Sequence, residues 1–513
     1  MLATVNTAST FGVEAHIVHV ETNVAFGLPR FSLVGLPDRS INESANRVEA
    51  AIKNSGYDFP RGRITINLAP ADLPKEGSAF DLPIAVGLLI ASNQLKEINQ
   101  DSCVLLGELA LDGTLRPIRG ALSIALEARN KGYTSLLLPS KIAAEAAVVE
   151  GINVYGFDHL SEVCNWLIHP SEKHRVTIDM DSVFNTLDTV GGADFADVRG
   201  QENVKRALEI AAAGNHNIIL VGPPGSGKTM LARRLPGILP PMTLEEAVET
   251  TRIHSVSGLN QRVGGLQTSR PFRSPHHTIS NAGLAGGGGY PQPGELSLAH
   301  NGVLFLDELP EFQRNVLEVM RQPIEDGFVT LSRARMTVTY PSRVMLVASM
   351  NPSPSGDWID PDTASTTDIL QMERYLSKIS GPLLDRIDLH IEVRKVPYND
   401  MTSTVQGESS GDIRQRVMRA RQIQLRRFFG MSGIYTNAQM DTRLVRKHCP
   451  LNASGKMILS KAMDMLGFSA RTYDRILKVS RTIADLDQSE MIQPQHIAEA
   501  VQYRNLDRKG WLN

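Results

Sequence analysis

IILVGPPGSGKT, Ile218–Thr229, is the stretch that decides the fold, because four apolar residues run directly into a glycine-rich loop that ends in Lys and Thr. The apolar run Ile218–Val221 predicts a buried strand, and the residues after the loop predict a helix. A strand, a loop and a helix in this order are the context that the phosphate-binding G-x-x-x-x-G-K-[ST] pattern requires. Glycines let backbone N–H groups converge on phosphate oxygens, and the helix dipole favours their charge.

The loop supplies groups for a nucleotide and for its metal. Lys228 can reach the β- and γ-phosphates and Thr229 can ligate Mg²⁺, so the expected ligands are ATP and Mg²⁺. The residues expected to hold the nucleotide are Gly222, Pro223, Pro224, Gly225, Ser226, Gly227, Lys228, Thr229 and Met230.

Two later apolar strands end in polar residues that suit the same site. Val303–Leu306 is followed by Asp307 and Glu308. Asp307 would hold Mg²⁺ through water, and Glu308 would polarise the attacking water. The strand Val344–Ala348 ends near Asn351, whose amide could orient that water against the γ-phosphate. The alternatives are a solvated acidic turn and a simple turn asparagine before a proline.

Composition limits the classes of protein that fit. The chain has 513 residues, enough for about three domains. A net charge of −2 means that any nucleic-acid contact must come from local patches. The three cysteines are dispersed and have no metal-ligand spacing. Without a signal peptide or an apolar run that could span a bilayer, the expected compartment is the reducing cytoplasm.

Changes of pattern along the chain predict an α/β protein of three domains. Residues 1–168 alternate short strands with helices, and residues 169–190 form a polar linker. Residues 191–400 carry apolar strands with motifs at their carboxyl ends, which is typical of a parallel sheet. Residues 401–513 show helical periods only. The individual elements predicted are strands Ala15–Val20, Arg63–Leu68 and Ser135–Leu138 and helices Ser40–Ser55, Ala121–Lys131, Thr472–Asp485 and Pro494–Tyr503.

Three longer phrases resemble a known family. PFRSPHHTISNAGLAGGG, PGELSLAHNGVLFLDELPEF and KISGPLLDRIDLHIEV are similar to the YifB/ComM family of magnesium-chelatase-like AAA+ ATPases, and the likeness covers nearly the whole chain. The resemblance implies an AAA+ core with a C-terminal helical lid, assembled as a ring, expected to be a hexamer. It also implies a motor that drives DNA branch migration in recombination, notably in natural transformation. Expected partners are single-stranded, duplex or branched DNA and recombination proteins, with no membrane.

The resemblance assigns further roles. Arg386, in GPLLDRIDL, takes the place of the arginine that reaches into the neighbouring subunit's ATP site. Its alternative is a structural ion pair with Asp385 or Asp388. Arg471 suits the sensor 2 place on the helical lid, with Arg475 as the competing candidate.

Asn351 takes the sensor 1 place, and Asp197–Gln201 (DVRGQ) lies where such chains cover the adenine base. Many relatives carry a four-cysteine zinc cluster after this asparagine. Here Ser353 and Ser355 stand where cysteines would be expected, and hydroxyls are poor zinc ligands, so no zinc is expected. The nearby carboxylates, expected in a solvated loop, are Asp357, Asp360 and Asp362.

The N-terminal domain resembles the Lon-protease type. Leu73–Pro83 and Gly107–Pro139 carry the likeness, and Ser78 lies near the nucleophile's place. The place of the catalytic lysine holds Leu122, which cannot act as a base, and Lys75 belongs to the preceding loop. The domain is therefore expected to be a non-proteolytic scaffold or a DNA-facing platform.

Three segments are candidates for contact with DNA. Gly327–Tyr340 alternates β-formers around a polar tip and predicts a hairpin, with Arg333 and Arg335 near the tip. In a ring such tips would contact phosphates, whereas the alternative is a solvated hairpin. Arg252–Gly289 is interpreted as an inserted pore element. Ile413–Phe428 has six arginines and is either a solvated helix face or a DNA-facing one.

Two other functions stay open. One is a chelatase-type AAA+ motor that remodels a protein partner, which the nucleotide site alone does not distinguish from a DNA motor. The other is an ATP-dependent protease, against which Leu122 argues.

Overall fold

The computed structural model describes residues 1–73, 75, 77–96, 101–180, 193–259, 265–333, 336–356, 365–397, 407–431 and 433–504. The chain divides into two compact units. The first is Met1–Leu187 with Thr243–Thr268, and the second is Asp188–Met242 with Ser269–Asn513. The interpretation of Arg252–Gly289 as one inserted pore element is therefore corrected, because its first part folds with the N-terminal unit.

The first unit is a mixed α/β structure with three sheets. The largest has the order β1–β2–β4–β3, in which β3 and β4 are parallel and the other pairs antiparallel. β5–β8–β9 is a parallel sheet and β6–β7 is an antiparallel ribbon. The strands are β1 Leu2–Phe11, β2 Glu14–Ala25, β3 Arg30–Val34, β4 Arg63–Ala69, β5 Cys103–Leu105, β6 Glu108–Leu109, β7 Leu115–Arg116, β8 Ser135–Pro139 and β9 Asn153–Phe157.

One face of the four-stranded sheet is buried, and the other is partly exposed along β3 and β4 but covered at Asn6 and Ala8 of β1. Helix Asp81–Ala91, which is buried along nearly its whole length, packs with Val5, Val20 and Ile66 of the sheet in one apolar core. The opposite row of the same strands is polar, which is the alternation that a sheet covered on one side produces. The helices of this unit are Arg39–Asn42, Ser44–Asn54, Asp81–Ala91, Ala121–Asn130, Ser140–Ala146, Leu160–Ile168 and Leu244–Val256.

The second unit is built on a five-stranded sheet whose strands are all parallel. The order is β11–β14–β17–β10–β18. Two antiparallel pairs, β12–β13 and β15–β16, lie outside it. The strands are β10 Ile218–Val221, β11 Phe272–Arg273, β12 Gly286–Gly287, β13 Gln292–Pro293, β14 Val303–Leu306, β15 Phe328–Arg333, β16 Met336–Pro341, β17 Met345–Met350 and β18 Leu389–Glu392.

Helices complete this unit, and a continuous core joins the sheet to the C-terminal helices. Leu220, Val347 and Leu389 of the sheet pack in the same cluster as Val417 and Ile483. The helices are Glu202–Gly214, Lys228–Arg234, Asn281–Ala285, Glu295–Leu298, Arg314–Val319, Arg321–Asp326, Thr366–Leu376, Gly381–Leu384, Ser410–Arg427, Thr442–His448, Ala453–Leu466, Ala470–Leu486 and Pro494–Gln502. None of the described helices is long and apolar enough to cross a bilayer.

Most predicted elements are found with small changes of bounds, whereas the strand predicted over Ala15–Val20 extends over Glu14–Ala25 and one predicted helix is divided. The helix predicted over Ser40–Ser55 is two helices, because a turn at Glu43 separates Arg39–Asn42 from Ser44–Asn54. The predicted strands at Ile218–Val221 and Val303–Leu306 have the same bounds in the structure.

Candidate nucleotide site

The phosphate-binding loop joins β10 to the helix Lys228–Arg234, and glycine is required at two of its positions. A Cβ at Gly222 would lie 2.1 Å from the carbonyl oxygen of Val393, so no other residue fits there. Gly227 has a φ of 92°, in the left-handed region, where a side chain would be strained. The loop is thus held close to the residue that follows β18.

Lys228 is held inside this loop. Its Nζ donates to the carbonyl oxygens of Gly222 at 2.5 Å and Pro223 at 3.0 Å, and to Oδ1 of Asn351 at 3.2 Å. Burial lowers the pKa of Lys228, opposed by the nearby charges of Asp307 and Glu308. The structure therefore brings together the predicted lysine and the predicted sensor asparagine, which come from neighbouring strands.

The residues expected to hold Mg²⁺ are joined by a hydrogen bond. Thr229 Oγ1 donates to Oδ2 of Asp307 at 2.7 Å, and Ser349 Oγ donates to the other carboxylate oxygen. Ser226 Oγ is buried with no hydrogen-bond partner among the described residues. The Thr229 hydroxyl and the Asp307 carboxylate are oxygen ligands of the kind that Mg²⁺ prefers. The Ser226 hydroxyl, which belongs to the loop, suits a hydrogen bond to a phosphate. The donor set fits ATP with Mg²⁺.

Ser349 is a site residue that sequence reasoning missed. Leu306 pairs with Ala348 across β14 and β17, so Ser349 lies beside Asp307 at the carboxyl edge of the sheet. Its hydroxyl also accepts from the N–H of Glu308 at 3.3 Å. Ser349 therefore orients both acidic residues. The only signal in the sequence is one polar residue in an apolar strand.

Glu308 projects away from this network. Its φ of 55° is left-handed, and its side chain is 59 % exposed. His277 lies beside it, with Nδ1 3.9 Å from Oε2 of Glu308 and with its ring packed edge-on against Phe312. In the sequence, His277 is one of two adjacent histidines within the segment Arg252–Gly289 and carries no catalytic signal. The structure instead places it beside the predicted catalytic glutamate.

We expect His277→Ala to lower the rate of ATP hydrolysis by about three- to ten-fold with little change in ATP affinity, because the imidazole restricts the rotamer of Glu308 and misplacement of a catalytic group lowers the rate. His276→Ala is the matched control, since Nδ1 of His276 bonds to Oγ1 of Thr278 at 2.9 Å and not to Glu308. The measurement is steady-state hydrolysis with ATP binding in parallel. Equal rates for the two variants would contradict the positioning role.

A cleft of about 520 Å³ adjoins the phosphate-binding loop near Gln201. Gln201 Nε2 donates to the carbonyl oxygens of Ser226 at 2.9 Å and Arg394 at 3.0 Å, so it ties the loop to the segment after β18. Gln502 and Tyr503 line the same cleft. The cleft lies beside the phosphate loop through Gln201, and the placing of the adenine base near Asp197–Gln201 stays a prediction.

The predicted arginines lie at the other edge of the sheet. Arg386, Arg471 and Arg475 line one cleft of about 620 Å³. The N–H of Asp388 bonds to the carbonyl of Asn217, the residue before β10, whereas the phosphate loop follows the end of β10. The rise of a strand puts these two edges roughly 15 Å apart. A single chain therefore holds its arginines far from its own phosphate loop.

The ion-pair partner of Arg386 differs from the two carboxylates that the sequence suggested. Arg386 forms an ion pair with Glu325, and not with Asp385 or Asp388, and its Nη1 donates to the carbonyl of Pro382. Its side chain is 12 % exposed. Glu325 itself is more than half exposed, so this pair lies at the surface end of the arginine.

Arg475 and Arg471 have different surroundings. Nη1 of Arg475 lies 2.5 Å from Oδ1 of Asp388. Burial would raise the pKa of Asp388, but Arg475, with His216, holds it below its usual value. Arg471 lies exposed at the mouth of the cleft. Of the two sensor 2 candidates, Arg475 thus has a structural partner and Arg471 faces solvent.

Arg475→Met should lower the free energy of unfolding by about 2–4 kcal/mol, because it leaves a buried carboxylate without its cation. Arg471→Met should leave the unfolding free energy within about 0.5 kcal/mol of wild type. Urea unfolding at neutral pH measures both. Because the pKa of Asp388 is depressed, its contribution to stability is present above its unfolded pKa and is lost as the pH falls. Equal stability of the two variants would be contrary to this assignment.

The predicted hairpin Gly327–Tyr340 is confirmed as β15 and β16. Arg333 ends β15, and its Nε lies 3.4 Å from the carbonyl of Gly288, so it contacts the glycine run. Arg335 lies outside the described residues. Tyr340 OH donates to the carbonyl of Pro291 at 2.8 Å, which fixes the hairpin base against the same segment.

Other arginines that were candidates for DNA contact have internal partners. Arg270 donates to the carbonyls of Pro240 and Asn301, and Arg273 forms a two-point ion pair with Glu295. Arg262 lies outside the described residues. In the helix Ser410–Arg427 the arginines that bind acidic side chains or carbonyl oxygens of the same unit are Arg416, Arg421 and Arg427. These residues stabilise the fold.

Two serines occupy the positions where zinc-binding cysteines would be expected. Ser353 and Ser355 bond to each other at 2.8 Å, and Asp357, Asp360 and Asp362 lie outside the described residues. The described ranges hold no group of three or more His, Cys, Asp or Glu residues that could bind a metal.

In the first unit the serine and lysine have separate partners. Ser78 donates to the carboxylate of Glu108, whereas Nζ of Lys75 donates to the carbonyl of Pro70. Leu122, which stands where the resemblance would put the dyad lysine, is fully buried. The serine and the lysine therefore do not contact each other, and the non-proteolytic character of the domain stays a prediction.

Comparisons with known proteins match all parts of the chain. The family model of subunit ChlI of Mg-chelatase matches residues 20–142. The model of magnesium chelatase, subunit ChlI, matches residues 194–401, and the model of the C-terminal part of subunit ChlI matches residues 407–504. Uncharacterized protein YifB of Escherichia coli (strain K12) is 47% identical over 99% of this chain and 98% of its own length. Competence protein ComM of Haemophilus influenzae is 44% identical over 99% of this chain and 98% of its own length.

The comparisons also bear on the fold class. Lon protease 2 of Bacillus subtilis (strain 168) is 34% identical over 158 residues, which are 27% of this chain and 26% of that protein. With the parallel sheet and the helical C-terminal region, this confirms the predicted fold class: a Lon-like mixed α/β region, an AAA+ P-loop core and a C-terminal helical lid. The chain belongs to the YifB/ComM family of magnesium-chelatase-like AAA+ ATPases.

Proposed function

We propose that this AAA+ ATPase is the subunit of a Mg²⁺-dependent ring motor that translocates on DNA and migrates branched junctions in recombination and natural transformation. The observation that carries the proposal is the division of the catalytic groups between two edges of one sheet. Lys228, Asp307 and Glu308 lie at the carboxyl edge, and Arg386 lies at the amino edge. A complete site then needs two subunits, and head-to-tail repetition of such a contact closes a ring, expected to be a hexamer.

The roles of the residues follow from this geometry. Lys228 neutralises charge on the phosphates, and Glu308 polarises the attacking water, which Asn351 orients. Mg²⁺, when bound at Thr229 and Asp307, supplies charge neutralisation on the phosphoryl oxygens. The neighbouring subunit's Arg386 stabilises the charge that develops during transfer, with Arg471 beside it.

DNA is proposed as the ligand of the motor for two reasons. The hairpin β15–β16 carries Arg333 next to the glycine run, which suits a cationic element in the pore of a ring. A relative that matches almost the whole chain is named a competence protein. The second candidate function is a chelatase-type motor that remodels a protein partner, and the three magnesium-chelatase profiles favour it.

The test is ATP hydrolysis with no DNA and with single-stranded, duplex or four-way branched DNA. Stimulation of hydrolysis together with dissociation of the branched substrate supports the junction motor. Hydrolysis that is indifferent to every DNA at low salt overturns it and favours the protein-remodelling motor. The Glu308→Gln variant, purified in the same way, measures the contribution of contaminating ATPases.

A further inference from the structure

We propose that the first unit carries its own binding surface for single-stranded DNA, at one end of the four-stranded sheet. The sheet-end surface consists of Phe26, Leu28, Arg30, Arg61 and Arg63. The inference rests on the proposed function, because it takes DNA as the ligand of the motor, and it assigns to the N-terminal unit a part in binding that ligand.

Strand register brings the basic residues together. Arg63 pairs with Ala25 on one side and with Arg30 on the other. Paired residues on neighbouring strands point to the same face, so the two guanidinium groups project side by side. Gly62 lies between Arg61 and Arg63, and its carbonyl accepts from the N–H of Arg30 at 3.2 Å. Three cations therefore meet at one corner of the sheet.

Within the part of the chain that the structure describes, these cations have no acidic partners. Arg30, Arg61 and Arg63 are exposed, and none forms an ion pair or a side-chain hydrogen bond within the described ranges. Like charges on adjacent strands repel each other and destabilise the sheet. On the same face of β2, β3 and β4 the single carboxylate is Glu21, and Nδ2 of Asn67 bonds to it at 2.8 Å. An anionic ligand would relieve the repulsion.

An aromatic side chain stands beside the cations. Phe26 and Leu28 are 109% and 89% exposed in the short loop between β2 and β3, whose last residue before Arg30 is Pro29. Large apolar side chains that stay in water at a loop tip are unfavourable unless something covers them. An aromatic ring next to guanidinium groups is the combination that holds unpaired bases by stacking and phosphates by charge.

The composition of the surface favours single-stranded DNA over other occupants. Phe26 offers roughly 200 Å² of apolar surface and Leu28 has a smaller side chain, so together they lie well below the about 800 Å² per partner of a stable protein interface. The open row behind them carries Asn23, Ser32 and Thr65, which can hydrogen-bond to base edges. A duplex would hide the bases from Phe26.

The experiment measures binding of a labelled oligothymidylate to the full chain, with a non-hydrolysable ATP analogue, by fluorescence anisotropy at several salt concentrations. One variant is Arg30→Gln/Arg61→Gln/Arg63→Gln. Its matched control removes three exposed cations elsewhere in the same unit, Arg129→Gln/Lys131→Gln/Lys141→Gln. We expect the first to weaken binding at least about ten-fold and to lower the slope of log K against log salt by about 2, since each phosphate contact contributes about 0.7. The control should stay within two-fold or so of wild type.

Phe26→Ala tests the stacking part separately. It should weaken binding of the oligothymidylate about ten-fold with an unchanged salt slope, and weaken binding of a blunt duplex much less. Hydrolysis without DNA should be unchanged, because the ATP site lies in the second unit. Phe26 is fully exposed, so this variant also gives a decisive result if the triple variant fails to fold.

The outcomes separate this inference from the proposed function. If the wild type binds no DNA of any kind, the proposed function is wrong and the inference with it. If the wild type binds DNA and both surface variants bind as the control does, only the sheet-end surface is refuted. Variants that keep their DNA affinity but no longer assemble would make this surface a contact between subunits, which also refutes the inference.

Discussion

Glu308→Gln should bind ATP with nearly wild-type affinity and hydrolyse it at least about 100-fold more slowly, because loss of the group that polarises water removes about 10²–10⁴-fold of rate. The amide keeps the size of the side chain but cannot take a proton. Glu308 contributes little to the Mg²⁺ side of the site, where Thr229 and Ser349 each donate a hydrogen bond to Asp307. Binding and hydrolysis should therefore separate in this variant.

Glu311→Gln is the matched control. Glu311 follows Glu308 by three residues and lines the same pocket, but its carboxylate lies 3.4 Å from Nζ of Lys378. Binding of a fluorescent ATP analogue and steady-state phosphate release measure the two properties. A Glu308→Gln enzyme that keeps more than about a tenth of the wild-type rate would show that another group polarises the water.

Elements whose sequence signal is local were predicted well. Ile218–Val221 and Val303–Leu306 are apolar runs that stop at polar motif residues, so both their type and their bounds follow from the sequence. The hairpin around Arg333 follows from strict alternation on each side of a polar tip. Lys228 and Asn351 meet because the carboxyl ends of parallel strands share one edge.

Elements that depend on distant partners were not predicted. β1, Leu2–Phe11, is rich in Thr, Ser and Asn, and its strand character comes from ten residue pairs with β2. Helix Leu244–Val256 folds with the first unit through contacts such as Arg252 Nη2 with the carbonyl of Val13, at 2.7 Å, 239 residues away. Nothing local in the helix indicates that destination.

The same limit applies within the site. Ser349 acquires its role from the register of β14 and β17, and His277 from the approach of a loop to Glu308. The partner of Arg386 is Glu325, 61 residues earlier, although two closer carboxylates were available in the sequence. The expected ion pair of Arg386 with a carboxylate close in sequence was wrong for Asp388, because Asp388 pairs with Arg475.

Arg386→Ala should assemble into rings yet hydrolyse ATP about 10³-fold more slowly, since an arginine that reaches a neighbouring phosphoryl group supplies about 10³–10⁵ in rate. Glu325→Gln is the matched control, because it removes the ion pair of Arg386 and keeps the arginine. That variant should stay within several-fold of wild type. If both variants were equally inactive, the pair itself and not the arginine would matter.

Mixing variants distinguishes action between subunits from action within one. Lys228→Ala subunits should lack ATP binding but still present Arg386 to a neighbour, whereas Arg386→Ala subunits keep their own phosphate loop. In a ring assembled at random from equal amounts, about a quarter of the interfaces would combine an intact Lys228 with an intact Arg386. Hydrolysis in the mixture should therefore exceed that of either variant alone by far more than additivity. If crosslinking showed mixed rings but the activity stayed at the level of the separate variants, Arg386 would not act on the neighbouring site, and the division of the catalytic groups between the two edges of the sheet would need another explanation.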